Sequence, residues 1–332
     1  MSLTPPLPRS FRPLAGLAGG HSQTILGKLL RSTAEPPLHR ERWTTPDGDF
    51  LDLDFAPDPD PESPLLVVLH GLEGNARRGY CMESYRAAAA AGMAAVGLNF
   101  RACSGEPNLR ARAYHSGETE DLRFVLATLR ERFADRPLAA LGFSLGGNVL
   151  LKYLGEHGAE EPAGVRAAAV VSVPYDLSAG ADRLQDTFMG RTLYSRYFLR
   201  SLLEKVEQKA HLVDDDAMLE GVRAARTIRA FDDALTAPLH GFLDAADYYH
   251  RSSSARYLDG IRVPTLLLHA MDDPFLPRSA VPLRAMQNNP SLHPVITEQG
   301  GHVGFVSGRL ARPRFWAEES AARFLAGVAR SP

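Results

Sequence analysis

The sequence predicts an α/β protein in which helices flank a mostly parallel central sheet and a helical cap is inserted. Short apolar runs alternate along the chain with stretches whose apolar residues lie three and four positions apart, a pattern typical of alternating strands and helices. This alternation favours a parallel sheet covered by helices. The alternation stops over residues 174–258, where helical, charge-rich sequence predominates. We therefore expect residues 1–332 to form one domain, with residues 174–258 as a cap inserted into it.

The individual elements follow from the local pattern. Residues 39–45 and 50–55 alternate apolar and polar side chains around a Pro-Asp-Gly-Asp turn, which predicts half-buried strands. Continuous apolar runs predict strands covered on both faces, and they begin near Leu65, Ala94, Leu138, Ala167, Val263 and Pro294. Periodic apolar spacing predicts helices near 21–30, 80–91, 148–154 and 312–328, with another that ends at Arg132.

Composition excludes several classes of function. The chain has 332 residues, is 45% hydrophobic and carries a formal net charge of -2, so a main partner such as nucleic acid is not expected. Its two cysteines, Cys81 and Cys103, do not form a disulfide framework and suit a reducing compartment. The sequence shows neither a signal-peptide pattern nor an apolar run long enough to span a membrane. We therefore expect a cytoplasmic protein, with peripheral membrane contact left open and oligomeric state undetermined.

The strongest candidate for chemistry is Ser144, in the sequence Gly-Phe-Ser-Leu-Gly over 142–146. An apolar strand precedes this stretch and a periodic helix follows it, so the serine lies in a sharp strand-to-helix turn that exposes its hydroxyl. The flanking glycines keep Cβ atoms out of the crowded bend. Although a serine in a turn is often only a turn residue, this context predicts a nucleophile.

A second glycine-containing turn, His-Gly-Leu-Glu-Gly over 70–74, follows the strand that begins at Leu65. The backbone N–H of Leu72 can face Ser144 there and pair with the N–H of Leu145 at the start of the helix. Two such donors form an oxyanion hole, which stabilises the negative charge that develops during acyl transfer. The alternative is a simple strand-to-helix turn.

Candidates for the acid and the base follow later strands. His302 lies on a glycine-containing loop and can accept the proton of Ser144, because imidazole titrates near neutral pH. A carboxylate would fix its tautomer and stabilise the imidazolium. Asp272 and Asp273 are both available, and we favour Asp273 because Pro277 completes an Asp-x-x-x-Pro arrangement. Asp272 is then expected to shape the loop or face solvent. The chain order Ser, Asp, His is that of α/β-hydrolases.

Competing sites have weaker support. Cys103 lacks the strand-turn-helix context of a nucleophile, and the Asp214–Asp216 run reads as a solvated face more readily than as a metal site. His70 reads as structural, and His269 lies inside a strand. No cysteine or histidine spacing predicts a metal centre or a bound cofactor.

Several motifs together resemble the YheT-like branch of α/β-hydrolases, also called the AB hydrolase 4 family. They include His-Ser-Gln-Thr at 21–24, the 70–74 turn and Phe-Arg-Ala-Cys-Ser-Gly-Glu at 100–106, in which Ala102 replaces an expected glycine. They continue with Tyr-His-Ser-Gly-Glu-Thr-Glu-Asp at 114–121, the Ser144 turn through Asn148, and Asp-Asp-Pro-Phe at 272–275. The resemblance implies a carboxylester hydrolase with a Ser144–Asp273–His302 triad and no cofactor.

We therefore expect a serine esterase that acts on short- to medium-chain acyl esters through an acyl-enzyme. Aromatic residues in the cap favour an acyl substrate, although such residues also pack the core of an insertion. A thioesterase, an acyltransferase or a lipase with the same triad is an alternative. A non-catalytic binding protein that retains the fold is another.

Overall fold

The computed structural model describes residues 7–31, 36–58, 60–158 and 164–330. Within these ranges, eight strands form the main sheet, and two more form a separate hairpin. The strands of the sheet are β1 (His39–Thr44), β2 (Phe50–Phe55), β3 (Leu65–Leu69), β4 (Ala94–Asn99), β5 (Leu138–Phe143), β6 (Val165–Val171), β7 (Thr265–Ala270) and β8 (Leu292–Thr297). The hairpin consists of β9 (Val306–Arg309) and β10 (Arg312–Phe315).

The order of the sheet is β1-β2-β4-β3-β5-β6-β7-β8. β1 and β2 pair antiparallel, β2 joins β4 antiparallel, and the strands from β4 to β8 pair in parallel. From β3 the chain passes first to β4 on one side and then to β5 on the other. Loops leaving β3 and β5 therefore diverge at the carboxyl edge, where open α/β sheets form their ligand crevice. The predicted mostly parallel α/β fold is confirmed.

Twelve α-helices accompany the strands in the described part of the chain. They are α1 (Gly20–Leu30), α2 (Gly79–Ala90), α3 (Glu120–Arg132), α4 (Leu145–Glu156), α5 (Leu177–Asp186), α6 (Ser195–Lys209), α7 (Asp216–Ala224), α8 (Ile228–Phe231), α9 (Ala237–Leu239), α10 (Ala245–Ser252), α11 (Leu283–Asn288) and α12 (Trp316–Ala329). None of the helices in the described ranges is long and apolar enough to cross a membrane.

Both faces of the central strands are buried. Along β3, Leu65, Val67 and Leu69 pack into the apolar cluster that includes α3 and α4 residues. Leu66 and Val68 point the other way, into the cluster formed with α2 and α12. All five side chains are at most 2% exposed, which explains why the strand sequence is continuously apolar rather than alternating.

Between β6 and β7 the chain forms α5 to α10, joined by π-helical and 3-10 turns. This helical segment has small apolar clusters of its own, one around Tyr248 and Tyr249 and another around Leu199 and Phe231. Asp215 accepts the Met218 N–H at the start of α7. Its carboxylate is therefore a helix cap within the Asp214–Asp216 run.

The C-terminal region differs from the sequence prediction. The predicted helix over 312–328 begins only at Trp316, because Arg312–Phe315 pairs with Val306–Arg309 as a hairpin. Phe315 packs against Leu14 and Val306 in a small cluster. This contact links the N-terminal and C-terminal regions, and local periodicity contains no signal for it.

Candidate active site

Ser144 lies at the turn between β5 and α4, with backbone angles φ 50° and ψ −118°. This strained conformation is held because the Ser144 N–H donates to the Val171 carbonyl at 2.9 Å. The neighbouring glycines allow the close approach: a Cβ on Gly142 would lie 2.6 Å from the Gly146 carbonyl oxygen, and one on Gly146 would collide with the His70 carbonyl. The serine hydroxyl therefore projects from the carboxyl edge of the sheet, as the local sequence predicts.

His302 and Asp273 reach this hydroxyl from two other loops. His302 Nε2 lies 2.9 Å from Ser144 Oγ, and its Nδ1 lies 2.8 Å from Asp273 Oδ2. The Asp273 carboxylate is 3% exposed and also accepts the Phe275 N–H at 2.8 Å. The Phe275 ring lies against the imidazole, with the ring centroids 4.3 Å apart. An imidazole held this way can accept the serine proton while the carboxylate fixes its tautomer.

Asp272 points elsewhere. Its Oδ1 accepts the N–H of Gly301 at 2.8 Å, directly before His302. Burial raises the pKa of the Asp272 carboxyl above its usual value. Of the two adjacent acids, Asp273 is therefore the one at the imidazole, and Asp272 holds the loop that carries it.

Helix α1 also supports the His302 loop, a role that the sequence did not reveal. Thr24 Oγ1 accepts the N–H of His302 at 2.8 Å and donates to the Gly20 carbonyl at 2.7 Å. Gln23 is fully buried and bonds Val306 through both ends of its amide. Arg31 donates to the Val303 carbonyl at 2.7 Å. The His-Ser-Gln-Thr motif at 21–24 thus positions the imidazole loop.

The two predicted oxyanion donors lie beside the serine. Leu145 is the first residue of α4, and Leu72 lies in the turn after β3. A Cβ on Gly71 would lie 3.1 Å from Ser144 Cβ, so this turn approaches the serine closely. Within the described residues, neither the Leu72 nor the Leu145 N–H donates to an acceptor. Both donors are therefore free to bind a substrate oxygen.

His70 is structural, as its sequence context indicates. It is fully buried, with Nδ1 2.8 Å from the Gly71 carbonyl oxygen and Nε2 3.2 Å from the Phe100 backbone nitrogen. The Phe100 N–H can only donate, so Nε2 accepts and the ring proton lies on Nδ1. Burial lowers the pKa of His70 to about 3, which keeps the ring neutral and holds the 70–74 turn in place.

A cleft of about 430 Å³ opens over the serine and the imidazole. Aromatic side chains from the helical segment, Tyr194, Tyr197 and Phe198, line it together with Phe275. His21 of α1 contacts the Tyr194 hydroxyl, with His21 Nδ1 3.0 Å from the oxygen. The helical segment between β6 and β7 therefore forms one wall of the cleft that holds Ser144.

Comparison with known proteins agrees with this geometry. A family model described as alpha/beta hydrolase fold matches residues 64–308. A protein of Escherichia coli (strain K12) named "Putative esterase YheT" is 40% identical over 93% of this chain and 90% of its own length. The chain belongs to the α/β-hydrolase family, in its YheT-like branch.

More distant relatives are esterases and lipases by name. This α/β-hydrolase is 32% identical to the "Monoacylglycerol lipase" of Saccharomyces cerevisiae over 86% of this chain and 63% of that protein. It is 30% identical to mouse "Phospholipase ABHD3" over 92% of this chain and 75% of that protein. The Pyrococcus furiosus esterase Pf2001 shares the fold, with a TM-score of 0.55 and 16% identity over 82% of this chain and 84% of that one. The protein is thus an esterase- or lipase-type α/β-hydrolase.

Other motif residues of this α/β-hydrolase build the scaffold around the site. Arg101 is buried and forms ion pairs with Asp47, Asp49 and Asp121, which ties β4 to α3 and the β1–β2 turn. Asn148 bonds the Ser116 and Ser252 carbonyls and the Ser254 N–H, which joins α4 to the helical segment. These contacts explain the 100–106 and 114–121 motifs as structural.

Cys103 is buried next to Lys205, whose Nζ lies 3.1 Å from the sulfur. Burial raises the pKa of the Cys103 thiol, which disfavours the thiolate that a nucleophile requires. Cys103 therefore belongs to the main apolar core, in the cluster that includes Phe100 and Tyr114. Among the described residues, no group of three His, Cys, Asp or Glu side chains is arranged to hold a metal ion.

Proposed function

We propose that this α/β-hydrolase cleaves carboxylic esters of short- to medium-chain acyl groups, with Ser144 as nucleophile, His302 as general base and Asp273 as its partner. The hydrogen-bonded chain from Asp273 through His302 to Ser144 is the observation that carries this proposal. A serine hydroxyl is a weak nucleophile at neutral pH until a base takes its proton. The 2.9 Å contact to Nε2 supplies that base.

The reaction proceeds in two steps. Ser144 Oγ attacks the ester carbonyl carbon while His302 Nε2 takes its proton, and the carbonyl oxygen becomes an oxyanion. The free N–H groups of Leu72 and Leu145 donate to this oxyanion. The tetrahedral intermediate collapses, the C–O bond to the alcohol breaks, and His302 returns the proton to the departing alkoxide. Water then attacks the acyl-enzyme with His302 again as base, which releases the acid and restores Ser144.

We further propose that residues 174–258 act as a cap over this site. Support comes from Tyr194, Tyr197 and Phe198, which line the cleft above Ser144. Aromatic side chains at this position favour an apolar ester substrate. Substrate entry is then expected to require movement of these helices on the microsecond to millisecond scale typical of lids.

The test of the nucleophile is Ser144→Ala, assayed on p-nitrophenyl esters of graded acyl length. Removal of a triad member costs on the order of 10⁴-fold or more in kcat for serine hydrolases. Ser291→Ala is a matched control, because Ser291 precedes β8 at the amino edge of the parallel strands, whereas Ser144 lies at their carboxyl edge. A fluorophosphonate probe should label the wild-type protein and the control but not Ser144→Ala. If Ser144→Ala keeps a tenth of wild-type activity, or if the wild type neither turns over nor labels, the proposal is wrong.

The names of two relatives, a monoacylglycerol lipase and a phospholipase, favour a second candidate, which is hydrolysis of glycerolipid esters. The same triad would serve it, and only the alcohol part of the substrate would differ. Parallel assays with monoacylglycerol, lysophospholipid, acyl-CoA and added alcohol acceptors separate the lipase, thioesterase and acyltransferase reactions from simple ester hydrolysis.

A further inference from the structure

A second cavity, which we call the inner cavity, lies on the other side of the predicted oxyanion donors from the cleft that holds Ser144. It encloses about 120 Å³ beneath α6 and α8. Leu145 lines the inner cavity, whereas the preceding residue, Ser144, lines the cleft. Leu72 and Glu73 line both spaces. The turn at 72–73 is therefore the junction between them.

The two spaces differ in exposure. The side chains that line the inner cavity are buried or half-buried. The cleft, in contrast, has a rim of exposed side chains, Ile25, Lys28, Leu29, Leu193 and Tyr197. A group bound in the inner cavity is therefore less exposed to solvent than a group at the rim of the cleft.

The inner cavity is suited to an apolar group. Aliphatic and aromatic side chains dominate its wall, among them Leu202, Val206, Ile228, Phe231 and Leu235. Such a surface binds hydrocarbon because burial removes apolar area from water, at about 0.8 kcal/mol per methylene.

The charged side chains on this wall all have hydrogen-bond or ion-pair partners, although Lys209 and Asp232 bond only uncharged groups. Lys205 Nζ lies 3.0 Å from Glu73 Oε1, and Lys209 Nζ lies 2.7 Å from Asn108 Oδ1. Arg101 is held by its three aspartates, and the Asp232 carboxylate accepts the Tyr249 hydroxyl at 2.6 Å.

Two histidines complete the polar part of the wall. The rings of His115 and His240 lie 4.5 Å apart. Burial lowers the pKa of His240 to about 4, and it also lowers the pKa of His115, so both rings are neutral at pH 7. The polar part of the wall therefore consists of side chains that already have hydrogen-bond partners and of two neutral imidazole rings.

The junction is held in a defined shape. Glu73 has a positive φ of 52° and its N–H donates to the Tyr114 hydroxyl at 2.9 Å. Its carboxylate accepts the same hydroxyl at 2.7 Å and also bonds Ser201 and Lys205 of α6. These contacts fix Glu73, and the half-buried side chain of Leu72 completes the partition between the two spaces.

We infer that the inner cavity is the acyl-chain subsite of the proposed esterase, with Leu72 at its entrance and the alcohol part of the ester in the outer cleft. This assignment rests on the proposed function.

An ester has two arms that diverge from the carbonyl carbon, and the oxyanion donors at Leu72 and Leu145 hold the carbonyl between the two spaces. In the acyl-enzyme the acyl arm stays while the alcohol departs. The less exposed, mostly apolar space suits the arm that stays, and the cleft with its exposed rim suits the arm that leaves. The substrate class is then an ester of a linear, unsubstituted aliphatic acid.

The test measures kcat/KM for p-nitrophenyl esters from acetate to dodecanoate. In the wild type, each methylene that enters the cavity should raise kcat/KM by about fourfold until the cavity is filled. Val206→Phe reduces the space in the inner cavity, and it should move the optimum to shorter chains. Val206→Ala enlarges the space and should move the optimum to longer chains, which provides a test if the larger side chain prevents folding.

Leu29→Phe is the matched control, because it adds similar bulk at the rim of the cleft, where Leu29 is 70% exposed. It should leave the acyl-length profile unchanged and instead alter kcat/KM across acetate esters of different alcohols. An unchanged profile in both Val206 variants, or a shift caused by Leu29→Phe alone, would place the acyl chain in the outer cleft and overturn the inference. Failure of the esterase proposal has a different signature, which is loss of turnover for every ester including acetate.

Discussion

The choice between the adjacent acids Asp272 and Asp273 allows a sharp test of the proposed mechanism. Asp273 Oδ1 accepts the Phe275 N–H, while Oδ2 lies 2.8 Å from His302 Nδ1. In Asp273→Asn, the amide oxygen is expected to keep the Phe275 contact, which turns the amide N–H₂ toward Nδ1. Nδ1 must then accept, so the ring proton moves to Nε2 and the imidazole can no longer take the proton of Ser144.

The expected cost follows from this change of tautomer. The equivalent substitution in a serine protease lowers kcat about 10⁴-fold, which corresponds to roughly 5.5 kcal/mol in the activation barrier. Asp272→Asn should cost much less, because the new amide keeps an oxygen that can accept the Gly301 N–H. A weakened hydrogen bond of about 1 kcal/mol predicts a loss of roughly fivefold.

The assay is kcat/KM on one p-nitrophenyl ester at pH 8 for both variants and the wild type, with circular dichroism and thermal unfolding as controls for folding. Asp273→Asn should also lower the rate of labelling by a fluorophosphonate, since that reaction needs the same proton transfer. If Asp272→Asn loses more activity than Asp273→Asn while both variants remain folded, the acid is Asp272 and the tautomer argument fails.

Three further predictions concern the scaffold. Thr24→Val removes the acceptor of the His302 N–H, so kcat should fall by roughly tenfold or more with little change in the chain-length profile. Thr24→Ser keeps the hydroxyl and should retain activity. A wild-type kcat in Thr24→Val would contradict the positioning role of Thr24. Arg101→Met leaves buried carboxylates unpaired, so it should lower the free energy of unfolding, measured in urea, by about 3–5 kcal/mol. The control Arg200→Met breaks an exposed ion pair and should lower the free energy of unfolding by at most about 1 kcal/mol. Burial raises the pKa of the Asp232 carboxyl from 3.8 to about 6. The native state therefore binds the carboxyl proton more tightly than the unfolded state does, and the stabilisation that protonation gives the native state is lost as pH rises from 4 to 6. The stability of the wild type relative to Asp232→Asn should then fall by about 2 kcal/mol across that window, and an equal difference at both ends would refute the assignment.

The local sequence is sufficient for the strands of the main sheet and for the turn that carries the serine. Continuous apolar runs identify β3 to β7 because strands covered on both faces must be apolar at every position. The turn at Ser144 was recognisable because its requirements are local: a strand, a helix and glycines wherever a Cβ would collide. The Asp-x-x-x-Pro arrangement with Pro277 favours Asp273, and the glycine-containing loop favours His302. The structure brings both side chains and Ser144 into one hydrogen-bonded chain.

The tertiary structure decided what depends on contacts between distant segments. The hydrogen bond from His302 to Thr24 spans 278 positions, so no periodicity or turn signal could indicate that α1 holds the imidazole loop. The hairpin at Arg312–Phe315 forms because its partner strand and Leu14 are nearby in space, although the local pattern favours a helix. The inner cavity is likewise a product of packing, since helices of the segment between β6 and β7 and the loop at 111–116 enclose it together. Sequence patterns report which residues are buried and how the chain turns, whereas the shape of the space between elements is set only when they pack.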